Sequence, residues 1–334
     1  MRPRVLVSAG QDLFASFFPP GHRARLSRSF SWKLIESARL SPEFKRELAA
    51  ADGLITTWDS PNLDRDLPRI APKLRIIAHC GGEVKRKFAA ELFGRLTITN
   101  AADPMARATA ELGAAFLTYC ARDVDHYREG LRKHSNRIYS DVHVHGTPEG
   151  LAGREVAMIG FGRVGRALVD LMRGFDLRWI VYDPFAPRAL TRDYPVVFTE
   201  LRPLLRRAHL LVLTAALTDK TRGLLDRRAV ALLPDGATLI NIARGGLVDL
   251  GALTKEVKNG RLRCALDVTD PAEPLPVGHP LRRAARAIVT PHIAGGGRDV
   301  REKMAEVVIN DLENFFRGKP VRNRVTKAML QRMT

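Results

Sequence analysis

Val156-Ala157-Met158-Ile159-Gly160-Phe161-Gly162-Arg163-Val164-Gly165-Arg166 carries the strongest fold signal in the chain. Glu155–Ile159 has the apolar run of a buried strand, three glycines follow at the spacing GxGxxG, and Arg163–Gly174 reads as an amphipathic helix. The glycines therefore fall at a strand-to-helix turn. There Gly160 permits the tight turn, Gly162 lets the backbone approach a pyrophosphate, and Gly165 allows the helix to lie close on the strand. Arg163 and Val164 open the helix, so their amides are placed to receive phosphate oxygens. A second strand, Trp179–Tyr182, ends in Asp183, 18 residues beyond Gly165. A carboxylate there can bind an adenosine ribose 2′-hydroxyl and would repel a 2′-phosphate, which favours NAD over NADP. Arg188 is near enough in sequence to accept such a phosphate.

Both flanks of this unit continue the alternation of strand and helix. Upstream, Val5–Val7, Gly53–Thr56, Leu74–Ala78 and Leu96–Asn100 read as strands, and Ala106–Ala121 reads as a long helix. The polar, histidine-bearing stretch that follows, through Gly150, is expected to be a loop. Downstream strands are expected at Leu210–Thr214, Thr238–Ala243, Cys264–Val268 and Ile288–Thr290. Helices are expected at Leu250–Asn259, stopped by Gly260, and at Asp299–Phe316. The class is therefore α/β, with two Rossmann-like or flavodoxin-like parallel-sheet domains. Residues 1–106, completed by 297–334, form a discontinuous substrate domain, and 107–296 form the dinucleotide-binding domain. The chain crosses between them twice, so two hinges and a closing motion are expected.

Composition excludes several classes. The longest apolar runs are about half of the roughly 20 residues a membrane helix needs, and the N-terminus lacks the apolar core of a secretory signal. Cys80, Cys120 and Cys264 are too few and too scattered for a disulfide framework or a zinc knuckle, which points to a reducing cytoplasm. The formal net charge of +18 comes from 54 basic against 36 acidic residues. The basic residues are spread along the chain and not interleaved with aromatics, so they read as a solvated surface that steers small anions. Nucleic acid and membrane are not expected partners.

Three further residues follow the glycine turn in order: Arg244, Glu273 and His292. A guanidinium can fork onto a carboxylate, an imidazole can carry a proton near neutrality, and a carboxylate can orient that imidazole. They lie within Asn241-Ile242-Ala243-Arg244-Gly245-Gly246, Glu273-Pro274-Leu275-Pro276 and Thr290-Pro291-His292-Ile293-Ala294-Gly295-Gly296, with Ala265-Leu266-Asp267-Val268 between the first two. Together with Gly160–Arg166, this order resembles the D-isomer-specific 2-hydroxyacid dehydrogenases.

The resemblance implies hydride transfer between nicotinamide and C2 of a small 2-hydroxy or 2-oxo acid, without a metal. It implies Arg244 as substrate anchor, His292 as acid/base and Glu273 as the partner of the imidazole. Asp267 is implied at the nicotinamide carboxamide, with Ala215, Ile242, Ala243, Arg244, His292 and Gly295 completing the cofactor set. Gly81, Gly82, Glu83 and Val84 are implied substrate contacts beside Arg244 and His292, and a homodimer is implied.

This chain departs from the family pattern at three places. Gly81-Gly82-Glu83-Val84-Lys85 stands where the family has Gly-x-Gly-Val-Asp, and Thr214-Ala215-Ala216 replaces His-x-Pro. An extra residue between Asp267 and Glu273 makes Asp270 a second candidate for the imidazole partner. The rival reading is an NAD(H)-sensing interaction protein on the same fold.

Overall fold

A computed structural model describes residues 2–333 except Ser37, Ala38, Ser135, Pro148 and Glu149; the side chains of His134 and Asn136 also lie outside the description. The chain divides into two compact units, Met1–Met105 with Gly296–Thr334, and Ala106–Gly295. In the first, β1 (Arg4–Ser8), β2 (Ser31–Ile35), β3 (Gly53–Thr56), β4 (Ile76–His79) and β5 (Thr97–Asn100) pair in parallel. All of β3 and β4 is buried, as expected where helices cover both faces of a parallel sheet.

The second unit contains β6 (Glu155–Ile159), β7 (Arg178–Tyr182), β8 (Val196–Phe198), β9 (Leu210–Leu213), β10 (Thr238–Asn241), β11 (Arg263–Leu266) and β12 (Ala287–Val289). They form one parallel sheet in the order β12-β11-β10-β9-β6-β7-β8. Alternate residues feed two cores. Ala157, Ile159, Leu211, Leu213 and Leu239 pack on one face, whereas Val156, Met158, Leu210, Val212 and Ile240 pack on the other. That is the two-residue period of a pleated strand buried on both sides. The chain winds outward from β6 through β7 to β8, then returns to β9 on the other side of β6. The gap between β6 and β9 is thus the topological switch point, where open α/β sheets bind ligands beyond the carboxyl ends of their strands.

The chain then returns to the first unit through the helix Arg298–Phe316 and β13 (Arg324–Val325). The helix buries Val300, Met304, Val308, Ile309 and Leu312. Antiparallel β13 completes the order β13-β5-β4-β3-β1-β2. No described helix is long and apolar enough to cross a membrane.

The expected loop through Gly150 is corrected in part: Val124–His134 and Asn136–His145 are helices, while Ser135, Pro148 and Glu149 lie outside the described residues. The polar composition hides good helix formers, with ion pairs one turn apart from Arg128 to Asp125 (2.9 Å) and from Arg132 to Glu129 (3.2 Å). Gly130 leaves room for Ile138, whose Cδ1 would lie 2.7 Å from an added Cβ, so the two helices pack on each other. The expected helix Arg163–Gly174 ends at Leu171, followed by a 3-10 turn over Arg173–Phe175. The half-exposed strand β2 and three-residue β8 lack the buried apolar runs that mark the other strands in sequence.

Candidate active site

The glycine turn leaves β6 at the switch point. Gly160 has φ +93°, and a Cβ there would lie 2.5 Å from the Ala215 backbone, so both conformation and close approach demand glycine. A Cβ on Gly165 would stand 2.9 Å from Gly160 O, which is the close helix-on-strand contact. Gly162 is the opposite case, since a Cβ there would meet nothing within 4 Å. The space in front of it is open, and it begins the helix Arg163–Leu171 with no side-chain cap. This arrangement fits a dinucleotide pyrophosphate. Thr214, in the stretch that departs from the family pattern, donates its hydroxyl to Gly160 O at 2.6 Å and braces the turn from β9.

Asp183, past the end of β7, accepts from the amides of Phe161 (2.7 Å), Phe185 (2.8 Å) and Ala186 (3.0 Å). The carboxylate is therefore held beside the glycine turn. The Arg188 guanidinium sits over the Phe198 ring at 4.5 Å.

At the same carboxyl edge, β10, β11 and β12 are followed by Arg244, Asp267 and His292. His292 has φ +56°, a left-handed conformation uncommon for a non-glycine residue. Buried Asp267 holds it there. Its carbonyl accepts from His292 N (2.9 Å); its carboxylate accepts from Thr290 Oγ1 (2.6 Å), Ile293 N (2.9 Å) and Ala294 N (3.0 Å). Three bonds to one carboxylate make a strong knot in the turn. Asp267 thus braces the histidine loop, a placement that the sequence pattern alone did not disclose.

Glu273 Oε1 lies 2.5 Å from His292 Nδ1, with side-chain exposures of 34% and 47%. Nδ1 is engaged, leaving Nε2 as the nitrogen open to another molecule. Asp270 lies instead 3.7 Å from Arg222, so of the two acids it is Glu273 that meets the imidazole. A Cβ on Gly245 would fall 2.1 Å from the Thr269 carbonyl carbon, so glycine allows the loop after β10 to press against the loop bearing Glu273. Buried Asn241 shapes that loop, donating to Arg244 O (2.9 Å) and accepting from Ala243 N (3.0 Å). Half-buried Arg244 also bonds the Ala243 carbonyl through Nη1 at 2.7 Å. It stands two strands from His292, about 10 Å at ordinary strand spacing.

In the first unit, the loop after β4 has its own geometry. Asn100 bonds Gly82 O at 2.9 Å, and Ala101 N donates to Gly81 O at 3.0 Å. Among the described residues, the amides of Gly82 and Val84 donate to no other group. Glu83 lies 3.5 Å from Arg86. Lys87 departs from the solvated surface expected of the basic residues, because its ammonium donates to Trp58 O (2.8 Å) and Ser60 O. Burial pulls its pKa down against the opposing fields of Asp59 and Glu83. Glu111 forms an exposed pair with Arg107 at 3.3 Å. Among the described residues, no group of three or more His, Cys, Asp or Glu is arranged to hold a metal ion.

Residues 114–294 match the model of the D-isomer specific 2-hydroxyacid dehydrogenase, NAD binding domain. A glyoxylate reductase of Pyrococcus horikoshii is 32% identical over 280 residues, covering 82% of each chain. A crystal structure of a protein from Thermus thermophilus superposes with a TM-score of 0.76 at 30% identity, over 97% of this chain and 100% of that one. An NADPH-dependent glyoxylate/hydroxypyruvate reductase from Sinorhizobium meliloti shares the fold, with a TM-score of 0.76 at 21% identity over 98% of both chains. With an NAD-binding sheet and a relative of this similarity over most of its length, the chain belongs to the D-isomer specific 2-hydroxyacid dehydrogenase family.

Proposed function

We propose that the protein reversibly reduces a small 2-oxo acid to the D-2-hydroxy acid, using NADH. The observation that carries this reading is the 2.5 Å contact between Glu273 and His292 Nδ1 on a turn knotted by Asp267. Bound nicotinamide supplies the two-electron donor or acceptor. His292 Nε2 gives its proton to the carbonyl oxygen in reduction and takes it back in oxidation. Glu273, at Nδ1, orients the ring, and the half-exposed imidazole is open to solvent. Arg244 holds the substrate's carboxylate and carbonyl oxygens, a task suited to a permanently charged planar fork. In the first unit, the Gly82 and Val84 amides are donors suited to a carboxylate.

NAD is favoured over NADP because Asp183 fixes a negative charge beside the glycine turn, while Arg188 is stacked on Phe198. A homodimer is supported by exposed Leu131, Tyr139 and Val144 on the two helices of residues 124–145. The free cysteines suit a reducing cytoplasm.

The test is NADH oxidation over glyoxylate, hydroxypyruvate, phenylpyruvate and branched 2-oxo acids, repeated with NADPH. Turnover with at least one acid, faster with NADH, is expected. Tight NADH binding without turnover on any of them would overturn the reading in favour of a sensing protein.

A further inference from the structure

The amino ends of the strands in the second sheet carry a cavity unconnected with the chemistry above. It measures about 770 Å³ and lies where β6, β7, β9, β10 and β11 begin. Four arginines line it: Arg154 before β6, Arg178 opening β7, Arg207 before β9 and Arg263 opening β11. Two carboxylates neutralise two of them. Arg207 forks onto Glu155, with Nε to Oε1 at 3.1 Å, and Arg263 forks onto Asp123, with Nη2 to Oδ2 at 2.8 Å.

Arg154 and Arg178 have no carboxylate partner among the described residues. Arg154 Nη1 donates to Ala121 O at 3.1 Å, and Arg178 Nε donates to Gly153 O at 2.8 Å. Each bond orients a guanidinium without cancelling its charge, and each guanidinium has five N–H donors in all. The four arginines and two acids leave the lining at +2, in a concavity that concentrates the field. Its size falls within the range of small-molecule sites, roughly 300–1,000 Å³.

We infer that this cavity binds a small polyvalent oxyanion, a phosphorylated or polycarboxylic molecule, through Arg154 and Arg178. Planar forks match two oxygens of such a group, and the two neutralised arginines keep the wall basic without competing for it. The site lies at the opposite end of the strands from the glycine turn, about 16 Å away along five residues of β6. Occupancy is therefore compatible with a bound dinucleotide.

The experiment is calorimetric titration of the full chain with pyrophosphate, and separately with citrate, at chloride-matched ionic strength and with saturating NADH. One anion per chain is expected, held at least tenfold more weakly by R154Q/R178Q, while NADH affinity is unchanged. The arm with the tighter binding identifies the source as phosphate or carboxylate. Equal affinity in R154Q/R178Q, no saturable binding, or displacement by NADH overturns the inference. So does stronger competition by a single-stranded oligonucleotide than by pyrophosphate at equal phosphate concentration. If the double variant fails to fold, R178Q alone, at an exposed position, should weaken the anion at least threefold. The comparison between variants decides the matter even if the protein proves to have no reductase activity.

Discussion

His292, just past β12, has a side chain 47% exposed and its Nδ1 against Glu273. His79, the last residue of β4, is 2% exposed, with Nδ1 at 2.9 Å from the Thr56 hydroxyl. Both stand at the carboxyl end of a parallel strand, each in its own unit. Burial, and then the charge of Lys87, push the His79 pKa down to about 3 against an opposing bond to the Thr56 backbone. Gly81 covers it so closely that a Cβ would lie 2.2 Å from Nε2. His79 is therefore neutral near pH 7 and has no route to exchange a proton. Strand-end position alone does not make a proton carrier; solvent access and a carboxylate partner do.

The largest effect that sharpens this contrast is on turnover. His292→Asn should lower kcat by about 10²–10⁴-fold, the usual worth of a positioned acid/base, with NADH affinity retained. Steady-state kinetics beside an NADH titration would check it. Next comes Gly160→Ala, which drives a Cβ into the Ala215 backbone at a residue with φ +93°. It should cost about 2–5 kcal/mol in urea unfolding and abolish tight NADH binding.

The smallest effect belongs to His79. The unfolded imidazole takes a proton near its ordinary value of about 6.5, the folded one only near 3, so unfolding takes up a proton between those values. This contribution is intact above pH 6.5 and declines as pH falls through that window. At pH 4.5 the loss should be about 2–3 kcal/mol, and His79→Gln should flatten that part of the stability profile. An unchanged profile would mean that His79 is not held neutral by its burial in the folded chain.

What could be read in the sequence was local. The glycine spacing, the strand ahead of it and the acid at Asp183 lie within one supersecondary unit, where periodicity and turn chemistry speak directly. Glu273 and Asp270 stay alternatives in the sequence, because only tertiary contacts put Asp270 beside Arg222 and Glu273 against the imidazole. The helices at 124–145 are obscured by polarity, since their packing partner is mainly each other. Lys87 reads as part of a solvated run because nothing nearby in sequence announces that its charge is spent on the Trp58 and Ser60 carbonyls. Thr214, Asn241 and the bracing role of Asp267 are likewise hidden, for each acts through a loop positioned by neighbouring strands.

Whether His292 and Glu273 act as one unit is read out by a double-mutant cycle on kcat/KM. If they do, E273Q/H292N should be no more than about threefold worse than H292N alone, although E273Q by itself is clearly impaired. Losses that multiply in the double variant, or an H292N enzyme within about tenfold of the parent, would contradict it.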